Sequence, residues 1–319
     1  MMQKKISFVI PCYASEHTIS LVVQEIITTM DDLQQYSWEL VLVNDCSPDN
    51  TFEVIRNLCI SNPNIIGINL ARNFGQHAAL MAGFNQVSGD IIVCMDDDEQ
   101  TPGNEVGKLL EKIEEGYDVA YARYVSKKHS IFRNIGSRIN SKMTEFLLDK
   151  PKDLYISSYF AIRRYIVDEI VKYDHSFPYV IGLVLRSTKN IANVDVTHRE
   201  RQEGSSGYSI QKLLSLWMNG FTAFSVKPLR LASLLGLILA AVGFISTIIL
   251  ILNKLAHPSE VMLGWSSTMA VMMLIGGVLL IVLGIIGEYI GRIYICINKS
   301  PQYIIREKVQ GKKSSESLF

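Results

Sequence analysis

The sequence predicts an α/β domain built on a mostly parallel sheet, followed by amphipathic interfacial helices and two membrane-spanning helices. Three observations carry this prediction. Apolar strand patterns alternate with helical ones up to Arg123, an order that gives a parallel sheet covered on both faces. One of these strands, Gly89 to Met95, runs straight into Asp96, Asp97, Asp98 and Glu99. Finally, Leu231 to Asn253 and Val261 to Gly287 hold no charged residue, and each exceeds the roughly 20 residues a helix needs to cross a bilayer.

Taken in order, Lys5 to Pro11 reads as a short apolar strand, His17 to Met30 as an amphipathic helix and Trp38 to Asn44 as a second strand. The Ser47-Pro48-Asp49 turn reads as a helix start, and a helix over Thr51 to Ser61 follows. Ile65 to Leu70 is a strand, Gln76 to Val87 a helix, Ile91 to Met95 a strand, Glu105 to Glu115 a helix and Val119 to Arg123 a strand. Beyond residue 130 the pattern turns helical and less regular. Ser130 to Leu148 mixes Arg133, Arg138 and Lys142 with Ile131, Phe132, Ile135 and Ile139, which suits a basic amphipathic helix at a membrane surface; ordinary core packing accounts for the pattern nearly as well. Ile210 to Val226 leads into the first uncharged stretch and reads as interfacial. Both uncharged stretches are apolar on every face, unlike a surface helix of a soluble domain. The predicted division is a catalytic domain over 1–208, an interfacial segment over 209–228, a helical hairpin over 229–290 and a tail over 291–319.

Lys227 and Arg230 precede the first stretch, and Arg292, Lys299, Arg306, Lys308, Lys312 and Lys313 follow the second, whereas Lys254 to Glu260 holds one Lys and one Glu. Positive flanks favour the cytoplasmic side, so both termini and the catalytic domain are expected there. Met1-Met2-Gln3-Lys4-Lys5 leads into a short strand and Pro11, too brief for a secretory core segment. With 31 basic and 31 acidic residues the formal charge is zero, which argues against a nucleic-acid partner. Cys12, Cys46, Cys59, Cys94 and Cys296 show no metal-ligand spacing and are expected as reduced thiols.

Ligands of open α/β sheets bind where strands end, so the acidic cluster is delivered to a site. Asp96 and Asp98 lie two apart, on one face of an extended segment, and can grip one Mg²⁺ or Mn²⁺ that keeps positions free for phosphate oxygens. A diphosphate-bearing substrate follows; a solvated acidic loop is the alternative.

Val9-Ile10-Pro11-Cys12-Tyr13, Val43-Asn44-Asp45-Cys46-Ser47-Pro48-Asp49, Arg72-Asn73-Phe74-Gly75 and the Asp96/Asp98/Gln100 segment resemble the ordered signatures of glycosyltransferase family 2. Gly287-Glu288-Tyr289-Ile290-Gly291-Arg292 with Pro301-Gln302-Tyr303 resembles the end of bacterial polyprenyl-phosphate glycosyltransferases, a group similar to dolichol-phosphate mannose synthase that includes undecaprenyl-phosphate glucosyl and formamido-arabinose transferases. The resemblance covers nearly the whole chain and implies a GT-A-type fold. It implies that Asp45 meets a pyrimidine N–H, helix capping being the other use of that carboxylate, and that Pro11 and Tyr13 shape the base and ribose pocket. Arg72, Asn73 and Gly75 would close around the nucleotide, and Asp96, Asp98 and Gln100 would hold the cation. Arg123 resembles a phosphate-contacting Arg, Arg133 and Ser137 would face the acceptor phosphate on one helical face, and Arg201, within a lid-like loop from His198 to Tyr208, would contact the diphosphate. Arg123 and Arg133 read equally as surface charges.

The chain departs from the family pattern at Ala14-Ser15-Glu16, where Glu16 becomes the candidate nucleotide contact, and at Ser157-Ser158, where some relatives carry an acid proposed as a base. A phosphate acceptor is already ionised at neutral pH, so it needs orientation more than deprotonation. The expected activity is a metal-dependent, inverting transfer of a sugar from a nucleotide sugar, UDP-linked by expectation, to undecaprenyl or another polyprenyl phosphate at the bacterial inner membrane, for modification of an envelope glycan such as lipopolysaccharide. A homo-oligomer, a flippase and a downstream envelope glycosyltransferase are the partners such a product implies. A processive polysaccharide synthase is the alternative enzyme, but its Gln-x-x-Arg-Trp motif is absent. A non-catalytic nucleotide-sugar-binding membrane module would lose metal ligands, yet Asp96 and Asp98 are both present.

Overall fold

A computed structural model describes residues 3–98, 100–124, 145, 150–197, 227–256, 264–298 and 300–311. The chain forms two compact units, Met1–Ser209 with Lys299–Phe319, and Ile210–Asn298. The predicted helix from Ser130 to Leu148, apart from Glu145, and the interfacial segment from Ile210 to Val226 lie outside the described residues.

The first unit opens with β1 (Lys4–Cys12), α1 (Ile19–Asp32), β2 (Tyr36–Asn44), α2 (Thr51–Ser61), β3 (Ile65–Leu70), α3 (Gln76–Phe84), β4 (Ile91–Cys94), α4 (Val106–Glu114) and β5 (Val119–Tyr124). Each matches an element expected from the sequence. It continues with β6 (Phe160–Arg163), α5 (Arg164–Ile170), α6 (Val180–Ser187) and β7 (Ile191–Val196), and ends with β8 (Ile305–Gln310). The eight strands form one sheet in the order β7-β5-β6-β4-β1-β2-β3-β8. β1 pairs in parallel with β2 on one side and with β4 on the other, while β6 runs antiparallel to both β4 and β5. The expected tail over 291–319 thus contributes a strand of the sheet domain.

β1 is buried on both faces because helices cover both. Ile6, Phe8, Ile10 and Cys12 enter a core shared with Val22, Ile26, Leu109 and Ile113, residues that recur at helical spacing along α1 and α4. On the other face α3 lies close to the sheet at Gly83, where a Cβ would land on Val9. In the second unit, α7 (Lys227–Ala256) and α8 (Trp265–Ile297) are long apolar helices. Among the described residues one stretch, the 23 residues Ile275–Ile297, is long and apolar enough to cross a membrane, and α7 carries a shorter apolar run, Ala232–Ile245. α8 continues past Gly287 through Tyr289, Ile290, Ile293 and Tyr294.

At the opposite edge of the sheet from the acidic cluster, Glu39 is buried in β2 and accepts hydrogen bonds from Ser7 Oγ (2.6 Å), Ser88 N (2.5 Å) and Lys5 Nζ (2.5 Å). Burial alone would raise its pKa, but Lys5, Ser7 and Ser88 together hold it below the usual carboxylate range. A carboxylate with a depressed native pKa stabilises the fold above its unfolded pKa and loses that contribution as pH falls through the native one. Glu39→Gln should therefore cost about 2 kcal/mol at pH 7, and thermal unfolding should show the difference from the parent shrinking as pH drops below about 4.

Candidate active site

The carboxyl ends of β1, β2, β3 and β4 lie at one edge, because these strands are mutually parallel. The chain extends the sheet in one direction from β1 to β3 and then returns to place β4 on the other side of β1. This reversal makes the crevice beyond β1 and β4 the ligand position of an open sheet. Tyr13, Asp45, Arg72–Gly75 and Asp96–Asp98 follow β1, β2, β3 and β4 in turn, so the sequence-predicted residues at these four strand ends share that edge.

Asp45 is 4% exposed, and its two oxygens accept hydrogen bonds from Phe74 N (2.7 Å) and Gly75 N (2.8 Å). Burial raises its pKa against those two bonds. The carboxylate thus clamps the Arg72–Gly75 loop rather than capping α2, whose first turn is met instead by Asp49, which accepts from Thr51 N at 3.2 Å. Each oxygen keeps a second lone pair for a further donor. Within the loop, the Arg72 guanidinium lies over the Phe74 ring at 4.6 Å. Gly75 has φ of 90°, a conformation that favours glycine. Asn73 is exposed at the loop tip.

Asp96 sits between two neutral donors, Gln76 Nε2 at 3.0 Å and the Ser158 hydroxyl. Burial first, then Asp98 and Asp97, push its pKa up to about 6 against those hydrogen bonds. Asp97 points away from this pair, as the extended geometry predicts, and accepts from Tyr13 N at 2.9 Å. Its backbone carbonyl accepts from Thr18 Oγ1 at 2.8 Å. Gln100 is half-buried two residues beyond Asp98. Among the described residues no three His, Cys, Asp or Glu side chains converge as a metal cluster. Two crowded carboxylates with a neighbouring amide nevertheless fit a hard divalent cation that takes its remaining oxygens from a phosphate.

Backbone strain marks the same edge. Ala14 and Cys46 have φ of 55° and 54°, left-handed conformations that are uncommon for side-chain-bearing residues and cluster at functional sites. They stand beside Tyr13, which is 53% exposed, and beside Asp45. Pro11, paired with Val43 in the β1–β2 ladder, needs no donor of its own at the end of the strand.

Two of the expected residues have partners within the protein. Glu16, expected at the nucleotide, accepts from Asn50 N at 3.0 Å, and its backbone N donates to Asp49 Oδ2, which ties the β1–α1 loop to the start of α2. Arg123, expected at a phosphate, pairs with Asp195 at 2.6 Å across the β5–β7 ladder, so a phosphate there would compete with a carboxylate. Arg133, Ser137, Arg201 and the 198–208 loop lie outside the described residues, as does Glu99. Ser158 is the contact sequence reasoning missed. It precedes β6, whose antiparallel course sets Phe160 opposite Cys94 and so carries Ser158 back to Asp96. The Ser157-Ser158 departure from the family pattern was the one signal that pointed to it.

Comparison with known proteins places the chain in a family. The Glycosyl transferase family 2 profile matches residues 7–171, and a profile described as the GtrB C-terminal hairpin matches residues 227–293. The chain is 34% identical over 316 residues to an undecaprenyl-phosphate 4-deoxy-4-formamido-L-arabinose transferase of Photorhabdus laumondii, covering 98% of this chain and 97% of that one. It is 35% identical over 317 residues to the enzyme of the same name from Yersinia enterocolitica, covering 98% and 96%. Among solved structures, glucosyl-3-phosphoglycerate synthase of M. tuberculosis superposes with a TM-score of 0.51 at 18% identity, covering 69% of this chain and 81% of that one, a likeness of fold alone. With a family match over more than half of its length and relatives aligned from end to end, the chain belongs to glycosyl transferase family 2 and is a glycosyltransferase.

Proposed function

We propose that this glycosyltransferase moves a sugar from a nucleotide diphosphate sugar, UDP-linked in the first instance, onto a polyprenyl phosphate, with a divalent cation at Asp96 and Asp98. One observation carries the reading: Asp45, the Arg72–Gly75 loop, Asp96 and Asp98 stand at the same edge of the sheet, at the ends of β2, β3 and β4. The end-to-end similarity to undecaprenyl-phosphate sugar transferases supports the acceptor, and the group those relatives are named for, 4-deoxy-4-formamido-L-arabinose, is the first sugar to test. The product is a lipid-linked sugar that a flippase and a downstream envelope glycosyltransferase would consume.

In this reading Asp45 accepts from the pyrimidine base while keeping the Arg72–Gly75 loop folded around the nucleotide, and Pro11 and Tyr13 border the base and ribose. Asp96 and Asp98, with Gln100, hold Mg²⁺ or Mn²⁺, and Gln76 and Ser158 fix the Asp96 carboxylate in place. When bound, the cation supplies Lewis-acid charge to the departing diphosphate. Arg201 in the 198–208 loop adds positive charge over the donor, and Arg133 with Ser137 orients the acceptor. An oxygen of the lipid phosphate attacks the anomeric carbon from the face opposite the leaving diphosphate, so the C–O bond to the lipid phosphate forms as the bond to the nucleotide breaks. That single displacement inverts the anomeric centre, giving a β-linked product from an α-linked donor, and the acceptor needs no base because it is already an anion. The membrane part of the proposal is a two-span hairpin over 229–290, with the catalytic unit and both termini in the cytoplasm.

Asp96→Asn and Asp98→Asn should each lower kcat by roughly a hundredfold, the equivalent of about 3 kcal/mol of transition-state charge stabilisation, with unfolding temperatures close to the parent; turnover near the parental value in either variant would exclude a cation held there. Arg133→Ala should raise KM for the polyprenyl phosphate and leave nucleotide-sugar affinity intact, while Asp45→Ala should do the reverse. The loss for Arg133→Ala should be about 1.5–3 kcal/mol, roughly 10- to 150-fold in acceptor efficiency, and equal damage to donor binding in both variants would refute the division of roles. Reporter fusions at Phe319 and near His257 should report cytoplasm and exterior respectively, and the opposite pattern would reverse the topology.

A further inference from the structure

β8 joins the sheet at the outer edge of β3, antiparallel, with Ile66 opposite Gln310 and Asn69 opposite Glu307. The register then slips, so Leu70 stands opposite Ile305 and Arg306 is the extra residue of a bulge. Immediately beyond, Ala71 N donates to Ile304 O at 2.8 Å. Ala71 is the residue before Arg72, and the other end of that loop is held by Asp45 through Phe74 N and Gly75 N. Arg72 and Asn73 therefore span two clamps, one from β2 and one from a segment close to the C-terminus.

That segment is itself anchored at several points within its own unit. Ser176 Oγ donates to Ser300 O at 2.7 Å, Gln302 Nε2 to Tyr173 O at 2.5 Å and Lys308 Nζ to Gln86 Oε1 at 2.6 Å. Glu307 pairs with Arg56 at 3.1 Å. Gly311 ends the strand against the α2–β3 turn, where any Cβ would strike the Cys59 carbonyl and lie 3.2 Å from Pro63 Cα. Anchors at both ends give the strand a fixed axial position, which is what a positioning element requires.

We propose that β8 is a positioning strand for the nucleotide loop: by holding Ala71 it sets where Arg72 and Asn73 stand, so donor affinity depends on residues 304–311. The proposal rests on the donor site assigned above to Asp45 and that loop. It ties nucleotide binding to the return of the chain from α8, since β8 follows that helix directly in sequence. The competing role is cover alone, because an unpaired β3 edge would expose a row of ladder groups. Cover predicts lost stability; positioning predicts lost donor affinity in protein that remains folded.

The test uses the full-length enzyme in lipid nanodiscs, a Gly311→Val variant, and a variant whose chain stops after Tyr303. UDP is titrated calorimetrically, and KM is measured separately for the nucleotide sugar and the polyprenyl phosphate. Positioning predicts that Gly311→Val weakens UDP binding roughly five- to tenfold, the loss of about one loop hydrogen bond, with acceptor KM within about twofold of the parent. The truncated chain should lose at least as much. Hydrogen exchange should show Ala71 to Gly75 less protected in both. A folded variant of either kind that binds UDP as the parent does overturns the proposal, and the Gly311→Val arm decides it if the truncated chain does not fold. A parent that binds no UDP overturns the donor assignment itself, which separates that failure from this one.

Discussion

Parallel pairing of β1 on both flanks is the constraint from which the rest of the site follows. Parallel neighbours end at the same edge, so residues far apart in the sequence, at the ends of β1, β2, β3 and β4, come together without any loop having to reach. The reversal of strand order at β1 opens the crevice between its end and that of β4. The loops that use this crevice are held in unfavourable conformations, with Ala14 and Cys46 in the left-handed region. Hydrogen bonds between loops keep them there: Ala14 N donates to Ser47 Oγ at 3.1 Å, and Ser47 Oγ donates to Asn44 Oδ1 at 2.5 Å.

Two carboxylates, one buried and one half-buried, differ in what meets their charge. Glu39 has Lys5 as a partner, and its pKa falls below the ordinary range despite burial. Asp96 has Gln76 and Ser158 as partners and two like charges beside it, and its pKa rises to about 6. Both groups are held in fixed positions by hydrogen bonds. Only Glu39 has its charge matched by a cationic side chain in those contacts; the contacts of Asp96 are neutral donors. Ser158 suits this arrangement because a hydroxyl orients the carboxylate without neutralising it, whereas an acid at that position would add a third repelling charge.

The edge strands show how elements distant in sequence complete a local motif. β6 reaches β4 from the opposite direction and brings Ser158 to Asp96. β8 reaches β3 from beyond two long helices and brings Ile304 to Ala71. Neither is predictable from the motif it supports, because an antiparallel strand can approach a sheet edge from anywhere in the chain.

The sequence by itself determined the alternating core of the domain, the acidic cluster at the end of a buried strand, the Arg72–Gly75 loop after β3 and the two long apolar helices, because these are encoded by periodicity, composition and contiguous motifs. Asp45 was legible as the residue that follows a buried strand for the same reason. Only the tertiary structure decided what each side chain holds: that Asp45 clamps Phe74 and Gly75, that Glu16 binds Asn50, that Arg123 is matched by Asp195, and that Ser158 and β8 belong beside the site. Those facts depend on strand direction and register between segments far apart in the chain. The local pattern of a strand such as Phe160–Arg163 or Ile305–Gln310 specifies that it can pair, and the packing of the whole sheet selects its neighbour and its direction.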